Sequence, residues 1–233
     1  MISAVIFDFN GVLVDDESVH FALFREVLAQ EGVTLTAQDY HDRYLGYDDA
    51  GCFEHVLQDV GQSYDDARIA DMIARKGARY FEVAEQGLKY FPSAAETVRR
   101  MADHYPVAIN SGALRAEIVF TLEKLNVRDR VSAIIAAEDA LRCKPDPAGY
   151  LQALDALRLT HPALDLNAAR CLVVEDSLAG VISAKGAGMK AVGITQTYPA
   201  GELLRSGADA VIDGLAELTP AWIEATFADA PAK

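Results

Sequence analysis

The sequence predicts an α/β protein built on a doubly wound parallel sheet, with a block of helices inserted after the first strand. Three observations carry that prediction. The chain opens on an apolar run, Ile2 to Phe7, rich in β-branched and aromatic residues and closed by Asp8, Asn10 and Gly11, which reads as a fully buried strand. From Phe91 onward short apolar runs alternate with segments of helical period, the pattern of a parallel sheet covered by helices on both faces. Between the two, residues 15–88 carry helical stripes and no strand pattern.

Each element follows in order. Val19, Leu23 and Val27 recur at a spacing of four, with Phe24 and Leu28 beside them, and Gly32 is placed to end that helix. Thr36 with Asp39 three residues on resembles a helix N-terminal box. Phe53, Val56, Leu57 and Val60 form a second stripe, and Ile69, Met72, Ile73, Tyr80 and Phe81 a longer third. Ser93 to Glu96 reads as a capping box opening a helix to about His104. Val107 to Asn110 is a short buried strand, Ala113 to Leu125 a helix, and Ala133 to Ala136 a third strand, with a further helix after Pro147. Cys171 to Glu175 is a strand followed by a helix from Ser177 to Gly186, and Lys190 to Ile194 and Ala210 to Ile212 are later strands. Phe227 to Lys233 reads as a loose tail. The domain division is therefore residues 1–14 with 89–233 for the sheet domain, and 15–88 for the helical insertion.

Composition narrows the function. A chain of 233 residues with 51% hydrophobic and 24% charged residues fits a soluble globular protein with a sizeable core. A formal net charge of -14 disfavours nucleic acid and anionic membrane as partners, since both need clustered Lys and Arg. It does not disfavour a small phosphorylated substrate, because a bound divalent cation inverts the local field. Cys52, Cys143 and Cys171 have neither disulfide nor zinc spacing and read as reduced thiols. No leader and no membrane-spanning apolar segment stands out, so the expected location is the cytoplasm. Nothing in the sequence fixes the oligomeric state; a monomer or weak homodimer is the expectation.

In such a sheet ligands gather at the carboxyl ends of the strands. Asp8 ends the first strand, Ser111 the strand at 107–110, and Asp176 the strand at 171–175, while Lys144 precedes Pro145 in the loop after the third. Four reactive side chains on one rim favour a functional site over ordinary turns and caps. The plainer readings are a strand-end turn and helix cap for Glu175-Asp176, a helix N-cap for Ser111, and a solvated lysine for Lys144.

Asp8-Phe-Asn10-Gly-Val, Ser111-Gly112, Lys144-Pro and Glu175-Asp176-Ser-Leu-Ala-Gly resemble, in order and spacing, the four motifs of the haloacid dehalogenase superfamily. The helical block is similar to the small cap of its phosphatase and β-phosphoglucomutase-like branch, and the Glu-Asp-Ser-x-Ala-Gly-Val run followed by Ala-Gly-Met is specific to that branch. The resemblance implies a Rossmann-like core and a Mg²⁺-dependent phosphatase of a small phosphorylated metabolite. It implies that Asp8 is the nucleophile and forms an aspartyl phosphate. It implies that Asp8, the backbone carbonyl of Asn10 and Asp176 hold Mg²⁺, with Glu175 in or near the shell. Ser111 and Gly112 would bind phosphate oxygens before a helix, and Lys144 would neutralise charge on Asp8 and the phosphoryl group.

Asn10 is the departure. The family's phosphatases and mutases carry Asp there, which protonates the leaving oxygen and then activates water; an amide has no proton to trade near neutral pH. Three readings follow: an enzyme for good leaving groups or with a proton carrier borrowed from elsewhere, an engineered change that slows turnover, or a phosphate or sugar-phosphate binder without catalysis. A β-phosphoglucomutase-like phosphotransferase would need the missing group even more than a hydrolase does. Phosphonate-cleaving relatives use a cap lysine, and residues 15–42 contain none; dehalogenase relatives carry Tyr at the position of Asn10.

The resemblance also implies that the cap closes over the rim as a lid, with joints near Val14 to Glu17 and Leu88 to Phe91, and sets specificity. The loop from Arg43 to Asp49 matches the relatives' substrate-reading loop, so Arg43 and Tyr47 are candidate substrate contacts, against plainer readings as an ion-pair partner and a packing residue. His20 is a candidate hinge-side substrate contact and the candidate borrowed proton carrier.

Overall fold

The computed structural model describes residues 1–140 and 142–228. The chain divides into two compact units, one of Met1–Val14 with Tyr90–Lys233 and the other Asp15–Lys89. It starts in the first unit with strand β1 (Ala4–Phe7), then passes through β2 (Val14–Asp15) into the second.

The second unit is helical: α1 (Glu17–Gln30), α2 (Ala37–Asp39) continuing into a single wide π-type turn at Tyr40–Tyr44, α3 (Asp49–Asp59) and α4 (Asp66–Gln86). The stripes read from the sequence make its core: Phe24, Val27 and Leu28 of α1 pack with Phe53, Val56 and Leu57 of α3 and Ile69 and Met72 of α4. Val60 is an exception. It lies past the end of α3 and is 51% exposed, because the stripe ends with the helix. Thr36 caps α2, accepting from Asp39 N at 3.1 Å. The chain returns through β3 (Lys89–Tyr90), which pairs with β2.

The first unit then alternates: α5 (Ala94–Ala102), β4 (Val107–Asn110), α6 (Arg115–Lys124), β5 (Ala133–Ile135), α7 (Ala148–Thr160), β6 (Cys171–Glu175), α8 (Leu178–Gly186), β7 (Lys190–Ile194), α9 (Ala200–Arg205), β8 (Ala210–Ile212) and α10 (Pro220–Thr226). Six strands form one sheet in the order β5-β4-β1-β6-β7-β8, every neighbouring pair parallel. Counted along this sheet the order is third, second, first, fourth, fifth, sixth, the doubly wound arrangement whose direction reverses between β1 and β6. Side chains alternate across a strand. Ala4 and Ile6 face Tyr150, Leu154 and Leu157 of α7 and Val181 and Ala184 of α8, which sends Val5 and Phe7 to the opposite face.

The Ser93 capping box does not form. Ser93 is left-handed, with φ of 64°, and its side chain makes no cap bond; α5 starts instead with the backbone bond from Thr97 N to Ser93 O at 2.8 Å. Two helices, α9 and α10, lie where the sequence pattern marks none. Of the C-terminal stretch read as a tail, residues 229–233 lie outside the described residues.

Candidate active site

The reversal of strand order puts Asp8, just past β1, beside Glu175 and Asp176 at the end of β6, and the bond from Asp8 N to Val174 O at 3.0 Å fixes that register. After Asp8 the chain turns sharply: Leu13 N donates to Phe9 O at 2.8 Å and Gly11 N to Val14 O at 3.0 Å. Gly11 is required here. Its φ is 74°, and a Cβ built on it would lie 2.1 Å from Asp176 Oδ2. Glycine lets the turn press against the Asp176 carboxylate.

Three carboxylates meet at this point. Asp8, Glu175 and Asp176 are all buried, and each offers an oxygen within 4.8 Å of the others. Lys144 stands among them, its Nζ donating to Asp8 Oδ1 at 2.6 Å and to Glu175 Oε1 at 2.5 Å. Burial pushes the Asp8 carboxyl up to about 7 against the opposing pull of Lys144, with Glu175 adding to the rise. Asp176 is raised well above the usual carboxylate range, first by burial and then by Asp8 and Glu175. Burial works against the charge on Lys144, but Asp8 and Glu175 outweigh it and hold the ammonium above its ordinary value.

Ser111 lies 5% exposed past the end of β4. Its hydroxyl donates to Asn10 Oδ1 at 3.3 Å and accepts from Ala113 N at 3.1 Å. It is not the cap of α6, whose N-cap is Leu114. Nor is Asp176 the cap of α8; that is Ser177, which accepts from Gly180 N at 3.0 Å. The cap readings of both positions therefore fail, while Glu175-Asp176 does end its strand in a turn, with Ser177 N donating to Glu175 Oε2 at 3.2 Å. Asp8, Asn10, Ser111, Lys144, Glu175 and Asp176 come together, with Gly112 following Ser111 in the same loop.

The other three candidates belong to the helical unit and have partners there. Arg43 pairs with Asp59 and lies over the Tyr44 ring. Tyr47 is 43% exposed and stacks on His55 at 4.2 Å between ring centroids. His20 is buried, with Nε2 3.3 Å from Asp16 Oδ2 and Nδ1 2.8 Å from Lys76 Nζ. The sequence reading missed what holds His20: Lys76 is fully buried and donates to both oxygens of Asp49 at 2.7 and 2.9 Å. It also missed Thr197, whose hydroxyl donates to Asp176 Oδ2, and Tyr150, whose hydroxyl donates to Glu175 Oε1 at 2.6 Å. Neither has a local sequence signal; only the fold brings them in.

The donor set suits a hard divalent cation. Oxygen ligands alone, with three buried carboxylates against one ammonium, match Mg²⁺ or Mn²⁺ rather than a thiolate- or imidazole-binding metal.

Comparison with known proteins agrees with this geometry. The family of haloacid dehalogenase-like hydrolases matches residues 5–194. The chain is 31% identical to CbbY of Rhodobacter capsulatus, over 86% of this chain and 88% of that one. It is 27% identical to phosphoglycolate phosphatase of Yersinia pseudotuberculosis, over 94% and 93% of the two chains. Among solved structures it resembles a CbbY from Rhodobacter sphaeroides, an Asp-to-Asn variant in complex with xylulose-1,5-bisphosphate. That likeness has a TM-score of 0.79 and 26% identity, covering 94% of this chain and 96% of that one.

Proposed function

The chain belongs to the haloacid dehalogenase-like hydrolase family and is a phosphoric monoester hydrolase, and we propose that it is Mg²⁺-dependent and acts on a small phosphorylated sugar or hydroxy acid through Asp8. The observation that carries this reading is Lys144 bridging Asp8 and Glu175 beside Asp176 at the switch point of the sheet. Asp8, Asp176 and the backbone carbonyl of Asn10 would hold the cation, with Glu175 adjacent. When bound, the cation offsets the repulsion between Asp8 and a phosphate dianion and polarises the phosphoryl oxygens.

The chain's own residues supply the rest. The Asp8 carboxylate attacks phosphorus and the bond to the leaving oxygen breaks as the aspartyl phosphate forms; the leaving oxygen takes its proton from solvent, because Asn10 has none to give. Lys144 orients Asp8 through Oδ1 and offsets negative charge as it builds on the phosphoryl group. Ser111 and the backbone N–H of Gly112 would receive phosphoryl oxygens. Water then attacks the phosphorus of the aspartyl phosphate and gives up a proton to solvent, and inorganic phosphate departs as the carboxylate of Asp8 is restored. The relatives support a carbohydrate- or glycolate-like alcohol: one is a phosphoglycolate phosphatase and another holds a ketopentose bisphosphate.

The test is phosphate release from sugar phosphates, phosphoglycolate, aryl phosphates and acyl phosphates, with Mg²⁺ or with EDTA. Release that needs Mg²⁺ and disappears in Asp8→Asn is the expected result. Saturable binding of those phosphates with no release from any would replace this reading with that of a binder.

A further inference from the structure

Tyr150 is fully buried on α7, six residues after Lys144, and belongs to none of the four motifs. Its hydroxyl donates to Glu175 Oε1 at 2.6 Å, and the Lys144 ammonium lies 5.3 Å from the centre of its ring. The side chain of Asn110, at the end of β4, hydrogen-bonds it from behind. Room for that contact comes from Gly149, where a Cβ would lie 2.4 Å from Asn110 Oδ1.

The acceptor positions of Glu175 show what Tyr150 does. An ionised carboxylate offers about four. Oε1 takes Lys144 and Tyr150; Oε2 takes Ser177 N at 3.2 Å and Ser177 Oγ at 3.0 Å. Glu175 is also wedged against α8, where a Cβ on Gly180 would lie 1.8 Å from its Oε1. It is therefore saturated by donors of the protein and cannot rotate. Asp8 and Asp176 are different: Asp8 takes Lys144 and the backbone N–H of Phe9, and Asp176 takes Thr197, so both keep acceptor capacity.

We infer that Tyr150 and Glu175 form a clamp that positions Lys144. The hydroxyl fixes the carboxylate, and the carboxylate and the aromatic face together fix the ammonium against Asp8. Ring and hydroxyl have separate tasks, since cation–π attraction needs only the ring and Glu175 needs only the hydroxyl. Tyr150 is then a positioning residue of the hydrolase proposed above and acts on the reaction only through Lys144. The inference rests on that reading for its kinetic consequence, but not for the clamp itself.

Tyr150→Phe is the test, because it keeps the ring and removes the one bond. Loss of such a supporting contact typically costs about 10- to 100-fold in activity. The expected result is a loss of that size in kcat with KM little changed, and a larger loss in Tyr150→Leu, which removes the ring as well. In a Lys144→Ala background Tyr150→Phe should cost nothing further in kcat; an equal cost in both backgrounds would make Tyr150 a packing residue and overturn the clamp. The second readout needs no turnover. The Lys144 ammonium protons should give a slowly exchanging ¹⁵N-resolved NMR signal, assigned by its loss in Lys144→Met. That signal should shift and broaden in Tyr150→Phe, and an unchanged signal refutes the clamp. If the parent protein releases no phosphate, the hydrolase reading fails while the NMR comparison still decides the clamp.

Discussion

Asn10→Asp is the most informative single substitution, because the structure makes it nearly isosteric. The turn that follows Asp8 is held by backbone bonds from Gly11 N to Val14 O and from Leu13 N to Phe9 O, none of which uses the side chain at position 10. Ser111 donates to Asn10 Oδ1, and a carboxylate would accept that bond equally well. The backbone carbonyl proposed as a cation ligand is untouched. What changes is that the Nδ2 donor is lost and a group able to exchange a proton takes its place. Asn10 is half-buried and follows Asp8 by two residues, so a carboxyl there would be a proton-exchanging group close to the nucleophile, which an amide is not. General acid–base assistance contributes about 10²- to 10⁴-fold, a barrier change of roughly 3 to 5 kcal/mol at about 1.4 kcal/mol per decade. The assay is phosphate release from one alkyl and one acyl phosphate, with the parent and the Asn10→Asp variant side by side. Expected are a gain in kcat in that range on the alkyl ester, a much smaller gain on the acyl phosphate, whose leaving group needs no proton, and KM unchanged on both. Equal kcat on the alkyl ester would refute the reasoning, for position 10 would not then carry the proton in this chain.

Two predictions concern stability. Asp49→Ala strands the fully buried Lys76 ammonium, leaving it His20 Nδ1 and the Phe24 ring, and should cost about 3 to 5 kcal/mol in urea unfolding; Asp49→Ala with Lys76→Met should recover most of that, and a single-variant cost near zero would refute it. In EDTA, Asp8 binds its proton more tightly folded, at about 7, than unfolded, at its ordinary value of 3.8. Its contribution to stability is thus present at low pH and is lost as pH rises through about 7. Metal-free melting temperature should fall from pH 5.5 to 8 more steeply in the parent than in Asp8→Asn, with Mg²⁺ narrowing the difference; parallel slopes would refute it.

The sheet was legible because a strand buried on both faces has to be a continuous apolar run, and Ile2 to Phe7, Val107 to Asn110 and Cys171 to Glu175 are such runs with reactive residues at their ends. The site was legible for the same reason, since a parallel sheet puts strand ends on one edge whatever the intervening helices do. Local devices were harder. Ser93 has the residue spacing of a capping box, but backbone geometry decides whether a side chain reaches its amide, and a left-handed Ser93 does not. The contacts that hold the site together were not legible. Tyr150 reaches Glu175 across 25 residues and Thr197 reaches Asp176 across 21, and neither separation is marked in the chain.

That division has a physical basis in charge. Asp8, Glu175 and Asp176 carry three negative charges into a buried space that contains one ammonium, and burial alone drives Asp8 and Asp176 toward their neutral forms. A fold that keeps such residues must hold each of them by specific donors: Lys144 is shared by Asp8 and Glu175, Thr197 holds Asp176, and Tyr150 and Ser177 add to Glu175. The residual negative charge is what a divalent cation would offset, and a cation so placed leaves room for a phosphate dianion to enter without net repulsion. Residues that react recur as short motifs because chemistry fixes their type. The donors that restrain them need only reach the right oxygen, so they are set by packing distance and enter from wherever the fold brings a hydroxyl or an amide close enough.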